Sequence, residues 1–255
     1  MTLIPRSHPR YRSLLTRAAL AQKAREGLLA PEGLIAHGRG EAFDYLLGER
    51  SPPEAREATR LAVACLLRAR CPVLSVNGNV AALASKQVAK VARALPHLRI
   101  EVNLFHRTPA RAERVAEELR RAGVREVLGV HPTARLRGLP SDRGWVDTRG
   151  ILRADVVVIP LEDGDRAEAL RRAGKFVISI DLNPLSRTTL AAHIPIIDEL
   201  TRVMNRVPLV VRDLRARPST QWPRWVPSTA QRLRSRTLQR ILERLDELSR
   251  AGSTS

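Results

Sequence analysis

"PVLSVNGNVAALASKQVAKVARAL", residues 72–95, decides the fold. The opening "PVLSV" is a short apolar run, which suits a strand buried on both faces. It ends at Asn77-Gly78-Asn79, a turn. "VAALASKQVAKVARAL" then reads as a helix. The same grammar repeats downstream. "RIEVNLF" is a second β-like run, and "HRTPARAERVAEELRRAG" follows it as a helix with Thr108 as N-cap, Pro109 at the first helical position and Gly123 at the end. "VREVLGV" is a third run. "ADVVVIP" is a fourth, followed by the helix "DRAEALRRAG"; "KFVISID" is a fifth and "IPII" a short sixth. Val- and Ile-rich strands alternating with helices are what a parallel sheet covered on both faces requires. Residues 131–150 break the alternation, and irregular stretches of that length are usually functional or flexible.

Working outward, residues 8–70 read as helical. "SLLTRAALAQKAREG" ends at Gly27, a second helix starts near Glu41, and "SPPEAREATRLAVACLLRAR" is a third, with Ser51 as its candidate cap. Downstream, "RARPSTQWPRWVPSTAQ" is a proline-rich link. The stretch after it places Leu238, Ile241, Leu242, Leu245 and Leu248 on one helical stripe. The expected architecture is α/β, a Rossmann-like doubly wound parallel sheet over residues 71–207. A helical segment over 1–70 contributes to the active site, and 208–255 form the link and a basic amphipathic helix.

Composition narrows the classes. The chain has 255 residues, 44% hydrophobic and only 3% aromatic, so the core is aliphatic. Cys65 and Cys71 are the only cysteines, which excludes a disulfide framework and a four-cysteine zinc site. No long uncharged apolar run and no charged-then-apolar leader is visible, so the chain reads as soluble and cytoplasmic, with no membrane role. The net charge is +18; residues 201–255 hold 12 Arg against 4 acids, leaving +10 on residues 1–200. A basic nucleic-acid-binding protein using that tail is one alternative reading, but no RNA-recognition signature, zinc finger or stacked-aromatic platform supports it. A nicotinamide-dependent oxidoreductase is another, and the missing G-x-G-x-x-G spacing opposes it.

In an open parallel sheet, ligands bind beyond the carboxyl ends of the strands. The first strand is followed by Asn77, Gly78 and Asn79, the second by His106, Arg107 and Thr108. The "VVVIP" run is followed by Glu162, Asp163, Asp165 and Arg166, and "FVISI" by Asp181, Asn183, Ser186 and Arg187. Polar groups at four strand ends mark a small-molecule site. The turn at Gly78 opens a helix, so free N–H groups and the helix dipole favour an anion there. The phosphate of a substrate is accordingly placed near Asn77, Gly78, Asn79 and Lys86, with His106 and Arg107 close by. Asp181, Asn183 and Asp163 suit Mg²⁺ held through a nucleotide's phosphates; helix capping by Asp163 or Asp165 is the alternative. The histidines lack metal-ligand spacing, and no nucleophile–His pairing follows from sequence order. In "LIAHGRGEAFDYLLGER", residues 34–50, Arg39 stands between Gly38 and Gly40, either aimed at an anion or solvated on a turn.

"IPRSHPRYRSL", "GLIAHGRGEAFDYLLGER", "SVNGNVAALA", "VVVIPLEDGDRAEAL" and "GKFVISIDLNPLSRT" together resemble the archaeal 4-phosphopantoate–β-alanine ligase (phosphopantothenate synthetase) family over roughly residues 4–204. The resemblance implies a homodimeric ATP-dependent ligase of coenzyme A biosynthesis. It would join 4-phosphopantoate and β-alanine, releasing AMP and pyrophosphate, with ATP as a substrate and Mg²⁺ assisting. It implies a nucleotide site made of Arg17 and Arg39, of Asp181, Leu182 and Asn183, and of Arg187 and Thr188, with a further contact near Glu199 and Leu200. At that last contact the family pattern has Asn-Ile where this chain has Glu-Leu. Arg39 and Arg187 are the expected catalytic charges, because a planar guanidinium can bind two phosphate oxygens at once.

Overall fold

The computed structural model describes residues 4–8 and 10–252; Pro9 of the first family-like stretch and residues 253–255 of the tail lie outside the described residues. Three helices come first: α1 (Tyr11–Arg25), α2 (Pro31–Leu47) and α3 (Pro53–Arg68). The body follows as β1 (Pro72–Val76), α4 (Gly78–Ala94), β2 (Arg99–Val102) and α5 (Pro109–Arg121). A small hairpin, β3 (Ala134–Arg135) and β4 (Trp145–Val146), precedes β5 (Val156–Pro160), α6 (Gly164–Arg172), β6 (Phe176–Ile180), α7 (Arg187–Ala191) and β7 (Ile194–Ile196). Two helices close the chain, α8 (Leu200–Arg215) and α9 (Thr229–Gly252).

The five long strands form one parallel sheet in the order β2-β1-β5-β6-β7. Successive side chains leave a strand on opposite faces, and both faces are covered. Leu74, Val158, Ile178 and Ile196 pack with α3, α4 and α8. Val73, Val157, Ile159 and Val177 pack with α6, α7 and the hairpin. This is the doubly wound parallel architecture expected from the sequence.

Local signals explain the elements. Thr108 accepts the Arg111 N–H as N-cap of α5, with Pro109 at its first position, and Asn77 caps α4 by accepting the Val80 N–H at 3.1 Å. Pro52, not Ser51, occupies the N-cap position of α3, and Ser51 accepts a hydrogen bond from Arg206 instead. "VREVLGV" does not form a strand. Only Leu128 bridges to β2, and the chain turns away at Gly129, whose φ is +78°. The second helix starts ten residues earlier than Glu41 and runs straight through His37-Gly38-Arg39-Gly40. Arg39 is therefore a helical residue, not part of a turn.

The irregular stretch is anchored by one buried acid. Glu101 on β2 is 0% exposed, and its carboxylate accepts the N–H groups of Asp147 (3.0 Å) and Ile151 (2.6 Å). Asn103 adds hydrogen bonds from its amide to the carbonyls of Arg143 and Trp145. Together they hold the hairpin against the sheet edge and carry Arg143 to the carboxyl ends of the strands.

The tail packs on the body. Helix α8 continues through residue 208 to Arg215, and α9 lies against α2, α3 and β7. Leu233 and Thr237 are buried there, while Glu54, 3% exposed, takes a two-point contact from Arg240 at 3.0 Å each. Arg232 and Arg236 pair with Glu57. Three tail arginines thus face the protein's own carboxylates. No helix among the described residues is long and apolar enough to cross a membrane.

Two outcomes follow from these buried acids. Glu54→Gln should cost about 1.5–3 kcal/mol, the range for hydrogen bonds to charged groups. Urea unfolding measures that loss, and tryptic cleavage should begin in α9. Burial pushes the Glu101 carboxyl from 4.5 up to about 7, outweighing the two N–H donors. The folded state then holds a proton that the unfolded chain releases. The associated stability is present below pH 4.5 and is lost as pH rises through about 7. Melts between pH 5 and 8 should show wild type losing roughly 3 kcal/mol at most relative to Glu101→Gln.

Candidate active site

The sheet order places the topological switch point between β1 and β5, since the chain leaves β1 for β2 on one side and returns to β5 on the other. Loops diverge there and open a crevice at the carboxyl edge. Asn77 spans it: its amide donates to the carbonyls of Pro160 (3.1 Å) and Leu161 (2.8 Å) while its oxygen caps α4. Leu161 adopts φ +49°, a left-handed conformation unfavourable for a non-glycine residue and typical of ligand-lining turns.

Helix α2 roofs the crevice. A Cβ at Gly33 would lie 2.3 Å from Asn79 Oδ1 and 2.4 Å from Leu29 Cδ1, so only glycine lets α2 come this close to the start of α4. The Asn79 amide donates to the Gly33 carbonyl at 3.1 Å and fixes the approach. Three and four residues on, Ala36 and His37 face inward, and Arg39 hangs over the sheet edge.

Two adjoining clefts result. One, of about 330 Å³, is walled by Arg39, Asp181, Leu182, Asn183, Arg187 and Glu199, with Leu200 at its end. The other, of about 270 Å³, is walled by Asn77, Gly78, Asn79, His106, Arg111 and Arg143. Arg39, Asn79, Leu161 and Asp163 border both, so they mark the junction. Arg39 makes no hydrogen bond or ion pair to any described residue. A third hollow, of about 430 Å³, continues the first past His37, Leu83 and Leu182 toward Ser13 and Glu41.

Most of the residues expected from the sequence converge here. Asp181 accepts the Asn183 N–H (3.0 Å) and the Ser186 hydroxyl (2.6 Å); burial still raises its carboxyl above the ordinary range, and the Arg39 charge opposes the rise. Arg187 is held by Asp165 (2.7 Å) and Glu168 (3.0 Å), its head exposed at the rim. The Glu199 carboxylate caps α8 by accepting the Thr201 and Arg202 N–H groups, and Glu199 and Leu200 line the end of the cleft. Asp163 occupies the N-cap position of α6 without capping it, because its carboxylate pairs with Arg143.

Four expected residues stand apart from the two clefts. Arg17 on α1 pairs with Glu41 (Nε 2.9 Å) beside the third hollow. Thr188 is buried and donates its hydroxyl to the Glu162 carbonyl. Arg107 spends its guanidinium on the Gly129 and Val130 carbonyls, and Lys86 is exposed farther along α4.

The structure adds Arg143, which the sequence did not single out, and shows how the strand-end residues Glu162 and Arg166 are used. Arg143 reaches Glu162 (3.0 Å) and lies over the Phe105 ring at 4.3 Å. The irregularity of 131–150 was the signal for it. Glu162 is paired again beneath by Arg166 (2.6 Å), which is 0% exposed and also donates to Ser75. His37 has a buried Nε2 without a partner among the described residues, and burial lowers its pKa. Arg111, within an arginine-rich helix, carried no signal at all. Among the described residues no cluster of three His, Cys, Asp or Glu could hold a metal ion.

Comparison with known proteins gives the family. The sequence pattern of the phosphopantothenate/pantothenate synthetase family matches residues 54–246. The 4-phosphopantoate–β-alanine ligase of Thermococcus onnurineus (strain NA1) is 54% identical over 216 residues, covering 84% of this chain and 82% of its own. The enzymes of the same name from Thermococcus kodakarensis and Methanosarcina mazei are 52% and 53% identical, over 84% of this chain and 82% and 84% of theirs. A match over most of the chain at this identity leaves one conclusion: the chain belongs to the phosphopantothenate/pantothenate synthetase family.

Proposed function

We propose that this protein is an ATP-dependent ligase that joins 4-phosphopantoate to β-alanine, giving 4'-phosphopantothenate, AMP and pyrophosphate in coenzyme A biosynthesis. The observation that carries the mechanism is the pair of clefts meeting at the unpaired Arg39. The substrate names come from the relatives. ATP lies in the cleft of Asp181, Leu182, Asn183 and Arg187, with Glu199–Leu200 at its end and Arg17 beyond. Phosphopantoate lies in the cleft of Asn77, Gly78, Asn79 and His106. Arg107 and Lys86 lie outside that seat.

A carboxylate is a poor acylating agent, so it must first be activated. At the junction a carboxylate oxygen of phosphopantoate attacks the α-phosphorus of ATP. A P–O bond forms, the bond to the β-phosphate oxygen breaks, and pyrophosphate leaves. The free amine of β-alanine then attacks the acyl carbon; a C–N bond forms and AMP departs. No protein nucleophile takes part. The chain supplies position and positive charge: Arg39 faces the α-phosphate, and Arg187 offsets the departing pyrophosphate. Asp181 and Asp163, which line the same cleft as Arg39, suit Mg²⁺ carried in on the nucleotide's phosphates, where it would offset their charge. The homodimer implied by the resemblance belongs to this reading, and the exposed Leu242, Leu245 and Leu248 of α9 are an apolar surface for it to cover.

Pyrophosphate release decides the reading. It should require ATP, 4-phosphopantoate and β-alanine together. Equal turnover of unphosphorylated pantoate would assign the other activity in the family's name. Arg39→Ala should fold normally and lose turnover by about 10²–10³-fold, the effect of removing one transition-state charge contact. Near-normal turnover would remove Arg39 from the mechanism.

A further inference from the structure

The second cleft contains a cation in an unfavourable place. Arg111 sits in the first turn of α5, where the helix dipole is positive and no acidic residue offsets it. Its guanidinium is half-buried and turned toward the start of α4, a second positive helix end. A Cβ at Gly78, the first residue of α4, would lie 3.1 Å from Arg111 Nη2 and 2.8 Å from the Leu28 carbonyl oxygen. Glycine at that position therefore lets the guanidinium and the Leu28 carbonyl pack directly against the helix end.

Arg111 has no carboxylate to balance it. Its side-chain hydrogen bonds go to backbone carbonyls, Nη1 to His106 (2.8 Å) and Nε to Leu28 (3.5 Å), and Nη2 bonds to no described residue. Among the described residues no acid forms an ion pair with it. Burial lowers its pKa, with Glu32 the only acid in partial opposition. Glu32 instead faces His106 at 3.5 Å. Arg143, which shares this wall, is already neutralised by Glu162 and Asp163. Asn77 takes the Val80 N–H, and the Gly78 and Asn79 N–H groups that open α4 have no partner within the helix. A half-buried cation between two positive helix ends is repelled by both unless an anion joins them.

We propose that Arg111 is the residue that recognises the phosphate of the acid substrate, in a seat completed by the opening amides of α4. The seat lies in the part of this cleft that the nucleotide cleft does not share. The acid then reaches from its phosphate at Arg111 to its carboxylate at Arg39. Arg111 thus determines specificity for the phosphorylated over the unphosphorylated acid. This rests on the ligase reading above and assigns the residue that selects its substrate.

The test uses pyrophosphate release by the full chain carrying Arg111→Gln and, separately, Arg111→Lys, with thermal melting to show that each folds. Arg111→Gln should raise KM for 4-phosphopantoate about 10- to 100-fold, the cost of one charge-assisted hydrogen bond. It should leave the KM for ATP unchanged, and any turnover of unphosphorylated pantoate should fall less than that of 4-phosphopantoate. Arg111→Lys should recover part of the loss, since it keeps the charge without the fork. On the wild type, inorganic phosphate should compete with 4-phosphopantoate and not with ATP, and Arg111→Gln should lose that inhibition. An equal loss on both acids, or a rise in KM for ATP instead, would overturn the assignment. The wild-type assay keeps the two ideas separable: if wild type itself needs no phosphopantoate, the ligase reading fails, and this inference with it.

Discussion

The clamp that Asn77 makes across the switch point is the constraint on which the site depends. One side chain caps α4 and holds the Pro160 and Leu161 carbonyls, so β1 and β5 stay joined where their loops diverge. Leu161 is kept at positive φ by that clamp and by its own N–H bond to the Ile180 carbonyl at 3.0 Å. Strain of this kind persists where surrounding contacts over-determine it. Here it keeps the floor of both clefts in one shape, with the Asn79 and Asp163 walls on either side.

Charge is then distributed by burial. Glu162 lies under the junction with Arg166 below and Arg143 beside it, so a carboxylate that could repel phosphate is balanced before any ligand arrives. Arg143 can act there only because Glu101, from inside the sheet edge, holds the hairpin through two backbone N–H groups. Arg39, by contrast, has no partner among the described residues. An unpaired guanidinium costs little at an exposed position and remains available for a phosphate. Arg17 and Arg187 differ from it: both are tied to acids and need partner exchange to reach a nucleotide.

The basic balance of the chain acquires a different meaning once the tail is placed. Arg232, Arg236 and Arg240 are turned inward onto Glu54 and Glu57, and Arg202 joins α8 to α2 through Asp44 and Asp198. Arginine serves here largely as a strut between helices. Its long stem covers apolar surface while its head meets a carboxylate. This favours the ligase reading of the charge over a nucleic-acid one.

By itself the sequence determined the layered α/β plan, because strands buried on two faces must be apolar throughout and helices must carry their caps locally. Thr108, Pro109 and the apolar runs of β1, β5 and β6 were legible for that reason, while the capping by Asn77 appears only in the structure. The polar strand ends were legible too, since a parallel sheet places them all on one edge. Tertiary structure alone decided the rest. "HGRG" looked like a turn because two glycines weaken a helix, yet packing of Gly33 against Asn79 keeps α2 helical through Arg39. Glu199 became a cap, Lys86 was left in solvent, and Arg107 was spent on carbonyls, since a side chain's partners depend on elements distant in sequence. Arg111 shows this most clearly: one arginine among many in the sequence, it becomes distinctive only when folding sets it, without a counter-charge, between two helix ends.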